Sequence, residues 1–383
     1  MFDATPDPVL PGLQHLTDTD LARITGASDV QVLRLRHQPG SRAVLHVAFH
    51  KDGVAGEGVV WFFWAEKTEK LRQALPQMRV DAATGAAFEA FPQDHRVPEI
   101  ARFMADTCSF APALLGATAQ AKPQLVRYRP GLSATFRWVA DTGAVHFVKI
   151  ARKADVAGQA ALIASIAGQM HGSARVSDVS GHVPQIGAIA YRAAQGAPFD
   201  KVLAALSNQA LADATAQMIS GLAGLWACAL PGAEAMEHDE YLRRAERSAT
   251  IIASADAEAG QRARTILNRA ADQRPDLRQC PIHGDMKLDH AFLDGTTVTL
   301  IDTESVKLGD PDHDLALLDA RLDLHRLQGT LTADQCTTIR SVLRQAAGPD
   351  YSWFLQLAKL HAAKFLAQRD GPFRAAQMRQ ILA

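Results

Sequence analysis

His283, Asp285, Lys287 and His290 fall within one short stretch, HGDMKLDH, and Asp302 follows after an apolar interval. A second acid-rich run, GDPDHD, ends at Asp314. Acids and imidazoles at this density can hold a metal ion, move a proton or form a solvated face, and their order separates the three. Ala291-Phe292-Leu293 reads as a strand, Asp294-Gly295 as a tight turn and Val298-Thr299-Leu300-Ile301 as the returning strand. That hairpin brings His290, at its entry, beside Asp302, at its exit, where both can face a divalent cation. Asp285, five residues before His290 on the preceding loop, would sit beside them. A metallohydrolase would use the same residues differently, ligating its metal through His283, Asp285, His290 and Asp302 and activating a bound water. A solvated face requires no order at all, and chance explains HGD, the hairpin, Asp302 and GDPDHD in sequence poorly.

These residues need elements to position them. Segments 30–64 and 124–150 are rich in β-branched and aromatic residues with turn signals between them, as strands are. From about residue 200 the periodicity is helical, in 208–230, 239–271, 312–327 and 351–369. Strands first and helices later predict an α+β protein with a sheet-bearing N-terminal part and a helical C-terminal part. Leu35–Ala43 lines up without gaps against Val126–Ala134, and each copy reads as strand, Pro-Gly turn, strand, loop, strand. This predicts a duplicated sheet unit. Aligning VWFFWA (60–65) with VHFVKI (145–150) sets Trp64 opposite Lys149, so the first copy would lack the lysine and serve as structure. A lysine ending an apolar strand either snorkels to water or meets an anion. Upstream of an acid-rich motif, Lys149 is a candidate for phosphate. The run Trp61-Phe62-Phe63-Trp64 reads as buried sheet core. Asp319 and Asp323, four apart on the helix after GDPDHD, are either negative charge for a substrate or an exposed helix face.

The whole chain bounds the chemistry. Its 383 residues can bury a large core in two or three domains. With 48% hydrophobic residues, 21% charged and a net charge of −1, it has the balance of a soluble globular protein and no nucleic-acid footprint. No apolar run reaches the length of a membrane span, and the N-terminus has no signal-peptide pattern. The four cysteines form no CxxC pair. They predict reduced, mostly buried thiols, a cytoplasmic location and no structural zinc.

A loop aspartate, a metal ligand five residues on, a hairpin and a second metal-binding aspartate together resemble the kinase catalytic core. HGD in place of HRD, with Gly309–Ala316 (GDPDHDLA), is similar to the aminoglycoside phosphotransferase and choline kinase group. Two R-x-x-PG hairpins with FPQDHRVPEI (91–100) between them resemble maltokinase-like members that carry an N-terminal cap. The resemblance implies a protein-kinase-like two-lobed fold, with a cap over 1–120, an N-lobe sheet over 121–195 and a helical C-lobe with the catalytic loop over 196–383. It implies Asp285 as the base, Lys287 at the transferred phosphate, and His290 and Asp302 as metal ligands. Lys149 would pair with the nucleotide phosphates. Gln159 is the nearest polar residue to orient it where the family has a glutamate, and Ala194, ahead of the Gly196-Ala197-Pro198-Phe199 turn, completes the nucleotide set. Asp314 would tie a helix N-terminus to the catalytic loop, and His283 would be a packed scaffold. ATP and Mg²⁺ are the implied cofactors. Mn²⁺ is expected to be accepted because His290 replaces the family's asparagine and manganese takes nitrogen more readily. The implied acceptor is a hydroxyl of a sugar, amino sugar or amino alcohol, with no nucleic-acid or membrane partner. His290 and Gln159 keep open a pseudokinase that binds nucleotide or a partner.

Overall fold

The computed structural model describes residues 7–14, 16–38, 40–75, 78–368 and 373–383. Two compact units emerge. One runs to Ala157 and adds Ser180–Tyr191; the other takes Gly158–Val179, Arg192–Ala367 and Phe373–Ala383.

In the first unit, α1 (Pro11–Gln14) precedes α2 (Asp18–Thr25). The Thr17 hydroxyl accepts the Asp20 N–H and the Asp20 carboxylate accepts the Thr17 N–H, a reciprocal cap that starts α2. An antiparallel meander follows: β1 (Asp29–Gln38), β2 (Arg42–Lys51) and β3 (Val54–Phe63). After α3 (Ala65–Ala74), the short β4 (Arg79–Val80) and β5 (Ala87–Ala90) complete a sheet of order β1-β2-β3-β5-β4. Leu13, Leu21 and Ile24 cover one face with Leu45 and Phe62; Leu71 of α3 covers the other with Val44 and Trp61. Successive side chains of a strand point to opposite faces, so both Trp61 and Phe62 are buried. The aromatic run is sheet core as expected, except for exposed Trp64 at its end.

Next come α4 (Glu99–Ala105), α5 (Thr107–Leu115), β6 (Gln124–Arg129), β7 (Ser133–Val139) and β8 (Val145–Ala151). Beyond α6 (Val156–Gln169) and β9 (Ala174–Val176), the strands β10 (Val179–Val183) and β11 (Ala188–Arg192) join β8 in a second sheet, β10-β11-β8-β7-β6. Phe136, Trp138 and Ile150 of this sheet pack on Ile100, Phe103 and Leu114.

The two hairpins match at their closed ends. Gly40 and Gly131 take φ of +68° and +69°, and Gln38 pairs with Arg42 as Arg129 pairs with Ser133. With the turns superposed, Thr135 corresponds to Val44. Thr135 pairs with Lys149, whereas Val44 pairs with Trp61. The counterpart of Lys149 is therefore Trp61, not Trp64. The second and third strands are joined by loops of unequal length, and a repetitive apolar strand gives a sequence alignment little to hold its register.

The second unit is mainly helical: β12 (Ala197–Pro198), α7 (Phe199–Val202), α8 (Asn208–Trp226), α9 (His238–Ala255) and α10 (Ala257–Asp272). The single helix expected over 239–271 breaks at Asp256. Its backbone is extended and its carboxylate accepts the Ala259 N–H at 2.7 Å, capping α10. Four short strands then carry the acid-rich motifs: β13 (Cys280–Ile282), β14 (Ala291–Asp294), β15 (Thr297–Leu300) and β16 (Lys307–Gly309). The unit ends with α11 (Pro311–Leu327), α12 (Ala333–Ala346), α13 (Tyr351–Ala367) and α14 (Arg374–Ile381). α13 packs against both α11 and α9. Among the described residues no helix is long and apolar enough to cross a membrane. All four cysteines are unpaired, but Cys108 is exposed and Cys280 half-buried, so burial is less general than expected.

Candidate active site

β13 pairs antiparallel with β16, Ile282 opposite Lys307, so the HGD loop emerges beside the segment that precedes GDPDHD. Asp310 starts α11 by accepting the Asp312 N–H at 3.0 Å, with Pro311 at the first helical position. One turn on, Asp314 reaches back. Its two oxygens accept the His283 and Gly284 N–H groups at 2.8 and 2.9 Å. The Trp226 indole N–H adds a third donor at 3.2 Å, so this fully buried carboxylate is compensated. The expected tie between a helix N-terminus and the catalytic loop is present. His283, also fully buried, is bonded through Nε2 to the Ile301 carbonyl at 2.8 Å, the geometry of a loop anchor.

Past Gly284 the chain alternates. Met286 and Leu288 are buried, and Asp285 and Lys287 point the other way, half-buried. Lys287 Nζ donates to Asp285 Oδ2 at 2.7 Å, and Arg321 Nη2, from α11, donates to Oδ1 at 3.3 Å. Burial alone would raise the Asp285 carboxyl, but the Lys287 ammonium and the Arg321 guanidinium outweigh it and hold it below the usual carboxylate range. At neutral pH Asp285 is an ionised acceptor.

A 3-10 turn, Leu288–His290, delivers His290 to the hairpin. β14 and β15 pair with Asp294 opposite Thr297, so the turn falls on Gly295-Thr296, one residue later than expected. Asp302 follows with φ +59°, a left-handed conformation that aspartate tolerates. The hairpin brings His290 Nε2 to 3.4 Å from Asp302 Oδ2. Burial, and then the Lys287 ammonium, push the His290 imidazole down to about 4. The ring is thus neutral at pH 7 and able to donate a lone pair. A neutral imidazole nitrogen and a carboxylate oxygen converging at this distance fit a divalent cation, and manganese suits the nitrogen better than magnesium does. Lys287 Nζ, 3.3 Å from His290 Nε2, stands between this pair and Asp285.

The nucleotide candidates lie elsewhere in the chain. Lys149 is half-buried on β8 of the first unit, opposite Thr135 and two residues before the strand ends. Gln159 is half-buried in the first turns of α6. Ala194, half-buried, lies between β11 and β12, and β12 pairs Ala197 with Leu293 of β14.

Sequence reasoning missed Arg321, although it lies seven residues after Asp314, on the same face of α11. It also missed Lys364 and His361, which approach each other to 3.3 Å on α13. Burial lowers the Lys364 ammonium, with Asp285 offsetting part of the effect, and pushes His361 down to about 3. Asp319 and Asp323 have a different task. Arg340 of α12 donates to them at 2.5 and 2.8 Å, and the Tyr351 hydroxyl of α13 donates to Asp319 at 2.6 Å. Asp319 is buried in this cluster, so it is neither an exposed face nor free charge for a substrate.

Similar solved structures include macrolide 2'-phosphotransferase MphH from Brachybacterium faecium, 14% identical over 74% of this chain and 97% of that one, with a TM-score of 0.46. Amicoumacin kinase hAmiN, in complex with AMP-PNP, Ca²⁺ and Ami, is 14% identical over 74% of this chain and 93% of its own, TM-score 0.48. The streptomycin-ATP-APH(2")-IIa ternary complex aligns at 14% identity over 73% of this chain and 95% of its own, TM-score 0.47. With these TM-scores below one half, what those enzymes bind is a fact about them. No curated protein sequence matches the chain. The model of the phosphotransferase enzyme family matches residues 124–348, from β6 through the HGD loop and GDPDHD to the end of α12. That match spans more than half of the sequence and includes the HGD loop and GDPDHD: the chain belongs to the phosphotransferase enzyme family.

Proposed function

We propose that the chain transfers the terminal phosphoryl group of ATP to a hydroxyl of a small molecule that carries no net positive charge, with Asp285 taking the hydroxyl proton. The observation that carries this is the setting of Asp285: an ionised carboxylate held by Lys287 and Arg321 on a loop pinned by Asp314. As the acceptor oxygen bonds to phosphorus, its proton passes to Asp285, the bond to the β-phosphate oxygen breaks and ADP leaves. Lys287 would neutralise charge on the transferred group. His290 and Asp302 would hold a divalent cation, magnesium or manganese, which when bound neutralises the phosphates. Lys149, Gln159 and Ala194 are the candidates for the nucleotide.

The acceptor class follows from charge. Among the described residues Arg321 pairs with no acid but Asp285, and Lys364 pairs with none. A polycationic acceptor would meet like charge here, whereas a neutral or anionic polyhydroxy compound would not. Among the sugars, amino sugars and amino alcohols that the family resemblance admits, this favours sugars and their acids or phosphates. The unpaired cysteines support a reducing compartment, the cytoplasm.

The test is phosphate transfer from ATP, with Mg²⁺ or Mn²⁺, to neutral sugars, sugar phosphates, aminoglycosides and choline. Turnover is expected with the first two classes. Asp285→Asn should lower kcat by roughly 10²–10⁴-fold with ATP affinity retained. Turnover confined to aminoglycosides or choline would overturn the acceptor class. Metal-dependent ATP binding without transfer to any hydroxyl would make the chain a nucleotide-binding pseudokinase.

A further inference from the structure

The first unit contains a cavity of about 440 Å³ that none of the chemistry above uses. Arg42 at the start of β2, Lys67 of α3, Arg96 ahead of α4, and Arg152 and Lys153 just after β8 line it, with Phe63 on an apolar side. Five cations around so small a volume repel one another unless something negative sits among them.

The acids beneath the cavity are already engaged. Glu89 accepts the Trp61 indole N–H at 2.8 Å, and the His95 backbone N–H and ring at 2.9 and 2.8 Å. Asp94 accepts the Tyr128 hydroxyl at 2.9 Å and the Gly131 N–H at 2.6 Å. Among the described residues none of the five cations forms an ion pair with a carboxylate. Arg96 Nη1 is buried without a hydrogen-bond partner. Burial and then Arg152 lower the Arg42 guanidinium. Burial and then Arg42 and Arg152 lower that of Arg96, and Asp94 offsets only part of this.

We propose that this cavity binds a phosphorylated small molecule carrying at least two negative charges. Its volume suits a metabolite rather than a polymer. Arginines present paired N–H groups that match phosphate oxygens, and the Phe63 side accepts a carbon skeleton. Arg42 comes from the first sheet, and Arg152 and Lys153 follow directly from the second, so the ligand would cross-link the two meanders and stabilise the unit that contains them. None of the residues assigned to metal, nucleotide or proton transfer lines the cavity.

The probe is inorganic pyrophosphate, titrated calorimetrically and by thermal unfolding into the full chain in EDTA, which removes any metal-dependent contribution. Wild type and Asp302→Ala should bind it alike. Arg42→Gln/Arg152→Gln should bind it at least tenfold more weakly, with an unliganded Tm equal to or above that of wild type because like-charge repulsion is relieved. If that variant fails to fold, Lys67→Gln supplies the comparison, with an expected loss of threefold or more. ADP and a hexose bisphosphate, tested alongside, show whether the phosphates alone or a carbon skeleton with them is preferred. Unchanged affinity in the cavity variants overturns the proposal, as does loss of binding in Lys149→Met alone. A chloride or sulfate effect equal to that of pyrophosphate at matched ionic strength would reveal an adventitious anion only and likewise overturn it.

Discussion

His313 and Asp314 are adjacent on α11, and both are buried, but their surroundings differ. Asp314 accepts three N–H groups. His313 stays neutral. Its ring lies edge-on to Tyr241 at 5.0 Å and to Phe354 at 5.9 Å, and burial pushes it down to about 4. An unfolded imidazole titrates near 6.5, so between that pH and about 4 the unfolded chain holds the extra proton. Stability from this residue is therefore level above pH 6.5 and falls as pH drops, by up to about 3 kcal/mol. His313→Phe removes the charging cost. Measured by denaturant unfolding at pH 7 and pH 5, the variant should gain about 2 kcal/mol on wild type between the two. A difference that does not change with pH would show that His313 takes up its proton equally in the folded and unfolded chain.

At the scale of elements, the HGD loop is one strand end clamped by one helix. Gly284 makes this possible. Its φ is +75°, and a β-carbon there would lie 2.6 Å from the Ser305 carbonyl oxygen. Gly284→Ala should cost about 1–3 kcal/mol from the backbone conformation alone. It should also lower kcat more than ATP affinity, because the displaced segment carries Asp285 and not Lys149. Thermal unfolding paired with steady-state kinetics checks this; a kcat equal to that of wild type would show that the loop position does not depend on the Gly284 turn. The hairpin and the helix α11 were legible because their signals are local: turn residues, alternation and an Asp-Pro start. The break between α9 and α10 was not, since one Asp256 inside a long helical pattern is ambiguous until its side chain is seen to cap the next helix.

For the whole molecule, two units each hold their own core, and the helical unit is braced from within. Arg340 joins α12 to Asp319 and Asp323 of α11, and Tyr351 of α13 closes the cluster on Asp319. Breaking a buried pair by removing one partner leaves the other charge uncompensated. Asp319→Ala should therefore destabilise by about 3 kcal/mol or more and lower the Tm of the unit by roughly 6–12 °C. Calorimetry on the full chain would show it, and an unmoved Tm would mean that the cluster contributes nothing net. Charge is also unevenly spread. A chain with net charge −1 gathers five cations around one cavity, which composition averages away.

By itself the sequence determined the order and spacing of Asp285, Lys287, His290, Asp302 and Asp314, the types of most elements, and membership of a phosphotransferase family. Those residues span barely thirty positions, so turn chemistry and strand alternation suffice to bring them together. Only the tertiary structure decided that Trp61 is the counterpart of Lys149, that Arg321 and Lys364 give the surroundings of Asp285 their positive charge, that Arg340 takes up Asp319, and that Arg42, Arg96 and Arg152 share one cavity. Most of these contacts join segments tens of residues apart. Strand register and helix packing create them, and neither leaves a local period for a single sequence to show.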